Sequence, residues 1–340
     1  MLSVDPTLIG DALILRPSMI KFTGSKASEI EICGSAIRPL PFYLNRQIIK
    51  ILEDLGVQHQ VFLGLQERAV EKLRSVTRSP INAATFLTRS HIADAARVPW
   101  LIEKLNDMGL PFQIDGFLRD VLELAILVQL RALKYRSRIL VEDALTVYGI
   151  MDETGYLEEG EIFCVVETES EGRSIINGHV AITRSPALHP GDIQYAQAID
   201  VPRGSPLQAL HNCVVFSQKG QRDLPSQLSG GDLDGDIYNI IYHPGLLPSR
   251  VMVPADYPRV DPVDIGTKVE RSHMTGFFIQ FMENDQLGRI ATLHQVLADQ
   301  RDSGTLDPDC LLLANKHSTA VDFSKTGIPV SYSSIRLRSN

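Results

Sequence analysis

Apolar residues recur at helical spacing in the first part of the chain and at strand spacing in the middle. Leu44, Ile48, Ile51, Leu52 and Leu55 follow i, i+4, i+7, i+8 and i+11, and Gly56 stands where a C-capping glycine belongs. Leu118, Val121, Leu122 and Ala125 repeat that spacing. A helical region is therefore predicted over 40–137, punctuated by Pro80 and Pro99, with the sole tryptophan, Trp100, in its core. Two short apolar pieces around Pro17, over 11–22, and an alternating stretch over 29–33 read as strands ahead of it. From 138 to 242 the runs 139–141, 144–150, 161–166, 180–183, 193–201 and 213–216 are short and rich in β-branched residues. Turn chemistry bounds them, as in Asp152-Glu153-Thr154-Gly155 and Glu159-Gly160. Short strands without long helices between them fit a closed barrel better than a parallel α/β sheet. A proline-rich linker over 244–262 precedes a predicted helix or helix pair over 266–299, with Phe277, Phe278, Phe281 and Met282 as its apolar residues.

Composition changes this picture little. A chain of 340 residues with 44% hydrophobic content can bury a sizeable core, as one large domain or two to three modest ones. A net charge of −8 argues against a protein that simply coats nucleic acid, while leaving room for locally basic groups around an acidic centre. Cys33, Cys164, Cys213 and Cys310 are far apart, so buried free thiols are expected rather than a zinc site or disulfide framework. The start lacks a basic and an apolar signal region, and the most apolar run, 121–130, is interrupted by Glu123 and too short to span a bilayer. The expected compartment is cytosol or nucleus, with no membrane partner.

The chemistry concentrates in Ser229-Gly230-Gly231-Asp232-Leu233-Asp234-Gly235-Asp236. Carboxylates at every second position face one side of an extended or looping backbone, and Gly235 lets the loop fold them together. Two unit charges about 4 Å apart cost roughly 4 kcal/mol at an effective dielectric of about 20, so a fold that gathers three needs a cation. Hard oxygen ligands suit Mg²⁺ or Mn²⁺, ions that serve phosphoryl transfer. Asp/Gly clusters are also ordinary turn chemistry. An EF-hand is excluded, because its sixth and twelfth positions, counted from Asp232, hold Ile237 and His243. An Asp-x-Asp-Gly phosphatase would place the loop directly after an apolar strand, whereas 223–228 reads as loop and the apolar run, 237–242, comes afterwards. Lys219-Gly220-Gln221-Arg222, just upstream, is either a surface turn or a source of cations for triphosphate or product-strand phosphates.

The aspartate loop with Tyr238 resembles the active-site signature of the eukaryotic RNA-dependent RNA polymerases of RNA silencing. Similar matches extend over about 8–327. They include Leu15-Arg16-Pro17-Ser18-Met19-Ile20-Lys21-Phe22, Phe42-Tyr43-Leu44-Asn45-Arg46-Gln47, Leu52-Glu53-Asp54-Leu55-Gly56-Val57 and Arg184-Ser185-Pro186-Ala187-Leu188-His189-Pro190-Gly191-Asp192. Beyond the signature follow Asn284-Asp285-x-x-Gly288 and Ala320-Val321-Asp322-Phe323-Ser324-Lys325-Thr326-Gly327. The resemblance implies an α+β, two-barrel polymerase core. It consists of part of a first β-barrel over 1–39, a helical connector over 40–137, a catalytic double-psi β-barrel over 138–243, and a linker and helical region over 244–340. It implies Mg²⁺, with Mn²⁺ as the alternative, held by Asp232, Asp234 and Asp236 as catalytic residues. Phosphates of nucleotide or RNA would meet Lys21, Arg16, Arg184, Lys219, Arg222 and Lys325, and His189 would lie near the site.

The expected reaction is nucleotidyl transfer from NTPs on a single-stranded RNA template, giving double-stranded RNA for gene silencing, with small-RNA pathway proteins as further partners. With the first barrel incomplete, this chain by itself is expected to be weakly active or inactive. A non-catalytic RNA-binding remnant and an Asp-x-Asp-Gly phosphatase remain as alternatives at this point.

Overall fold

A computed structural model describes residues 2–20, 24, 29, 31–90, 92–93, 95–168, 172–258 and 260–330. The chain enters regular structure at strand β1 (Leu40–Leu44) and then runs through five helices: α1 (Arg46–Asp54), α2 (His59–Ser75), α3 (Pro80–Ser90), α4 (Val98–Asp107) and α5 (Gly116–Arg136). The strands β2 (Ile139–Met151), β3 (Glu161–Thr168), β4 (Gly172–Ile176), β5 (Gly178–Arg184), β6 (Ile193–Ala198) and β7 (Cys213–Phe216) follow. A short helix α6 (Leu224–Gln227) precedes β8 (Ile237–Ile241), and the chain closes with α7 (Arg271–Asn284), α8 (Leu287–Gln300), α9 (Pro308–Val321) and α10 (Phe323–Thr326).

Six strands close on themselves in the order β2-β7-β3-β6-β5-β8, with β8 returning to β2. The β2–β7 and β3–β6 pairs are parallel and the other pairs of the ring antiparallel. Side-chain alternation explains why these strands read as nearly continuous apolar runs. Val180 and Ile182 of β5 and Tyr238 and Ile240 of β8 belong to one buried cluster, while their neighbours Ala181 and Ile241 belong to another with Ile48, Ile51 and Leu52 of α1. Each strand is covered on both faces, and the polar alternation of a half-exposed sheet is lost. β2 is the longest strand because it serves three partners, pairing with β1, β8 and β7 in turn.

Several expectations are corrected. Residues 40–44 form a strand on β2 instead of the start of the helical region, because Phe42 and Leu44 bury into the cluster shared by α1 and the barrel. Trp100 is 55% exposed: α4 turns Val98 and Ile102 inward, and the indole lies on the opposite face. Cys33 is exposed, unlike the other three thiols. Among the described residues of 11–20 and 29–33 no strand forms, since none finds a pairing edge, and Ile14, Ile20 and Ile32 are exposed. Residues 223–228, read as loop, contain α6, whose N-terminus is capped by Asp223 accepting from the Ser226 amide at 2.8 Å. The stretch 244–262 is no passive linker. Met252 O accepts from the Gln194 amide at 2.8 Å, and Ala255 is buried. The helical expectation over 266–299 resolves into α7 and α8.

The C-terminal helices dock back onto α1, where the Asp54 carboxylate accepts from Thr305 N at 2.6 Å and Thr305 Oγ1 at 2.7 Å. Gly304 permits this approach, with φ of +58° and Asp54 oxygens where a side chain would begin. No helix among the described residues is long and apolar enough to cross a membrane.

Candidate active site

The aspartate loop joins α6 to β8 through a run of left-handed residues: Ser229, Gly230, Leu233 and Gly235 have φ of 51°, 66°, 60° and 134°. Non-glycine residues pay for such angles, and their persistence marks a loop over-determined by its surroundings. Gly231 supplies the close approach. A Cβ there would lie 2.4 Å from the Tyr238 hydroxyl and 2.9 Å from Pro225 O, so no side chain fits. The Tyr238 ring forms the floor, fully buried and edge-on to Phe216 at 4.8 Å between centroids.

Ligand oxygens of Asp232, Asp234 and Asp236 lie within 4.8 Å of one another. Asp236 is fixed first. Its Oδ1 accepts from Arg184 Nη2 at 2.6 Å and its Oδ2 from the Asp232 amide at 3.0 Å. Arg184 ends β5 beside Tyr238 of β8, and its Nη1 donates to Ser229 O at 3.1 Å. One guanidinium thus grips the loop at both ends. Burial, then the neighbouring Asp234 carboxylate and its hydrogen bond, and then the Asp236 charge, push the Asp232 pKa above its ordinary 3.8. Burial leads and the like charges of Asp234 and Asp236 add to it, both disfavouring the ionised form. Three carboxylates with oxygens this close fit a hard divalent cation, with Asp232 and Asp234 presenting the more exposed oxygens.

Asp192 holds the loop from below. It is almost fully buried, and Oδ2 accepts from Leu188 N at 3.2 Å and His189 N at 3.0 Å. Oδ1 accepts from Ser229 N at 3.2 Å and from the Tyr257 hydroxyl. Burial raises its pKa, and the hydrogen bonds from Tyr257, Ser229 and His189 oppose that rise. His189 Nδ1 accepts from Gly191 N at 3.0 Å, and burial lowers its pKa.

The loop opens into a cleft of about 420 Å³ lined on the barrel side by Arg184, His189, Asp232 and Tyr257. His317, Asp322 and Lys325 line the opposite, helical side. Burial lowers the His317 pKa. His294, packed behind it, falls to about 4 through burial first and then the proximity of His317. These histidines are therefore neutral near pH 7. Of the two cations lining the cleft, Arg184 is committed to Asp236, and Lys325 makes no ion pair among the described residues.

The remaining expected residues are distributed as follows. Arg16 pairs with the exposed Glu153, and Lys219 with Glu158 at 2.5 Å. Glu153 and Lys219 follow the C-terminal ends of β2 and β7, on the rim where the aspartate loop enters β8, yet neither cation lines the cleft. Arg222 braces α6, donating to Ser226 O and Ala255 O at 2.8 Å each. Lys21 lies outside the described residues. The triad, Arg184, His189 and Lys325 are brought to one site, which also contains Asp192, Tyr257 and His317. Asp192 had a signal, the last position of the His-Pro-Gly-Asp string, but its partners at 229 and 257 are invisible to local patterning.

Comparison with known proteins agrees with this geometry. The family model described as "RNA dependent RNA polymerase" matches residues 1–340. The chain is 36% identical over 341 residues to RNA-dependent RNA polymerase 6 of Arabidopsis thaliana, covering 95% of this chain and 28% of that protein. It is 31% identical over 311 residues to RNA-dependent RNA polymerase 1 of Schizosaccharomyces pombe, covering 84% and 25%. The chain therefore spans only a minor part of the length of these relatives. Among solved structures, the RNA-dependent RNA polymerase QDE-1 from Thielavia terrestris matches with a TM-score of 0.66 at 20% identity, over 88% of this chain and 37% of that one. The closed barrel thereby takes the double-psi form expected from the sequence.

Proposed function

Because the chain belongs to the RNA-dependent RNA polymerase family, we propose that it carries that family's nucleotidyl-transfer centre, making RNA on a single-stranded RNA template from NTPs. One observation carries this reading: three carboxylates converge within 4.8 Å at the mouth of a cleft whose facing wall presents Lys325. In the reaction a 3′-hydroxyl attacks the α-phosphorus of an NTP, the bond to the β-phosphate oxygen breaks, and pyrophosphate leaves. Mg²⁺, with Mn²⁺ as the alternative, held by Asp232, Asp234 and Asp236 would lower the pKa of the attacking hydroxyl and neutralise charge on the phosphates.

The protein's own groups divide the remaining work. Arg184 and Asp192 keep the loop in the conformation that presents Asp232 and Asp234. Lys325 pairs with the triphosphate, as an uncommitted ammonium can. Arg16 and Lys219 would track RNA phosphates along the rim by exchanging their exposed carboxylate partners for phosphate, and Lys21 would contact phosphate as the family resemblance implies. Exposed pairs of this kind are worth about 0–1 kcal/mol and exchange readily. The double-stranded product would enter small-RNA production, in cytosol or nucleus.

Labelled NTP incorporation on a defined single-stranded RNA tests the reading. The assay uses this chain and any longer natural product that contains it, each with Asp234→Asn as control. Incorporation should follow the template sequence, require a divalent cation and yield a product resistant to single-strand ribonuclease. It should fall by about a thousandfold in the variant, since metal stabilisation of transition-state charge is worth several kcal/mol and each 1.36 kcal/mol is tenfold. Release of inorganic phosphate from simple monoesters without template-directed synthesis would favour a phosphatase.

A further inference from the structure

A second cleft, of about 300 Å³, opens at the seam between the helices and the barrel. Leu73 of α2, Phe86 of α3, Leu133 of α5 and Leu140 of β2 give it an apolar floor. Its charged lining is one-sided: Lys72, Arg89 and Arg138 are present and no carboxylate is, on a chain whose formal charge is −8. The nearby acid, Glu142, is not in the lining and pairs with Lys72 at 2.5 Å, which leaves Arg89 and Arg138 as the lining cations without an ion pair among the described residues. Its hydrogen bond with Lys72, and then the charges of Lys72, Arg89 and Arg68, hold its pKa below the ordinary carboxylate value despite burial.

Arg138 is pre-positioned. Its guanidinium lies over the Tyr43 ring, 4.1 Å from the centroid, which fixes the plane and leaves the N–H edge for an acceptor. Neither Arg138 nor Arg89 makes an ion pair among the described residues. Both guanidinium groups are exposed at the edge of an apolar floor, and no carboxylate shares the lining with them, an arrangement that suits an anion carrying its own apolar body.

We propose that this cleft binds a small organic anion, its carboxylate or phosphate paired with Arg89 and Arg138 and its apolar portion on the Leu73–Phe86–Leu133–Leu140 floor. The cleft shares no lining residue with the one at the aspartate loop, so the proposal stands independently of the polymerase reading.

Calorimetric titration of the 340-residue chain with octanoate, phenyl phosphate, octanol and a short single-stranded RNA tests it. At least one of the two anions should saturate below about 10 mM, a weak but specific range, and which one does distinguishes the carboxylate from the phosphate source. Octanol should bind at least about tenfold more weakly, and R89Q with R138Q should weaken the anion by about ten- to a hundredfold, as expected for charge-assisted hydrogen bonds. Ala69→Trp, which fills the cleft from α2, should abolish binding. Thermal melting selects variants that keep the parent fold, so the two designs check each other. Absence of saturation by either anion, octanol binding equal to octanoate, or undiminished binding in the folded variants would overturn the proposal. Uptake of the RNA in place of both anions would overturn it too, and would mark the cleft as a nucleic-acid contact.

Discussion

Asp234→Asn is expected to move stability in opposite directions with and without metal. In the metal-free protein the loop holds three carboxylates whose oxygens lie within 4.8 Å, and removing one charge relieves repulsion, so the variant should melt at or above the parent temperature. With Mn²⁺ at about 100 times its Kd, the parent should gain about 2.7 kcal/mol, or roughly 4 °C, and the variant only a small fraction of this. A turn-capping aspartate behaves differently, since its loss costs about 1 kcal/mol whether or not metal is present.

The pH dependence carries the same sign. The folded-state pKa of Asp232 is raised above 3.8, chiefly by burial and then by Asp234, so the folded protein holds this proton more tightly than the unfolded chain. The cost of ionising Asp232, from burial first and repulsion by Asp234 second, is absent below the unfolded value, grows as pH rises through the folded one, and is complete above it; Asp234→Asn removes the repulsive share. Metal-free parent protein should therefore lose stability over that window relative to Asp234→Asn. A variant less stable than the parent at neutral pH, with its metal response intact, would make the loop structural.

Asp192→Ala should produce the largest loss of stability of any single change near the site, about 3–5 kcal/mol. The alanine leaves the amides of Leu188, His189 and Ser229 and the Tyr257 hydroxyl without their acceptor in a buried setting. Asp192→Asn keeps the shape and one accepting oxygen, so it should cost about 1–3 kcal/mol. Because Ser229 begins the aspartate loop, Asp192→Ala should also weaken Mn²⁺ binding in the molecules that remain folded, and Asp192→Asn should restore part of it. Urea unfolding with and without Mn²⁺ measures both effects. A cost below about 1 kcal/mol, or full-strength metal binding in the alanine variant, would remove Asp192 from the support of the loop.

The parts of the molecule that were legible in the sequence are those governed by local patterning. Strands β3, β5 and β7 announce themselves because their residues are largely buried and rich in β-branched side chains. The aspartate loop is legible because its glycines and alternate carboxylates are adjacent in the chain. β4 was missed, since Gly172–Ile176 exposes its first residues and lacks an apolar run. β1 was read as helix because Leu44 continues the spacing of α1, while its strand geometry is set by pairing with β2, about a hundred residues away.

Arg184 shows the same limit at the site. Family resemblance points to a phosphate contact, yet the partner that occupies its guanidinium, Asp236, is 52 residues distant and reached only because β5 pairs with β8. Lys219 and Arg222, close to the triad in sequence, point to Glu158 and to α6. Sequence proximity brought them to the rim of the barrel, and strand order decided what they touch.

Direct counting of bound Mn²⁺ by electron paramagnetic resonance, in which free aqueous ion gives the signal and protein-bound ion loses it, tests the metal centre most directly. The 340-residue chain should take up Mn²⁺ saturably, Mg²⁺ should displace it, and Asp234→Asn should weaken uptake by at least about tenfold, or about 1.4 kcal/mol. Equal uptake by the parent and the variant would contradict a metal site at Asp232, Asp234 and Asp236.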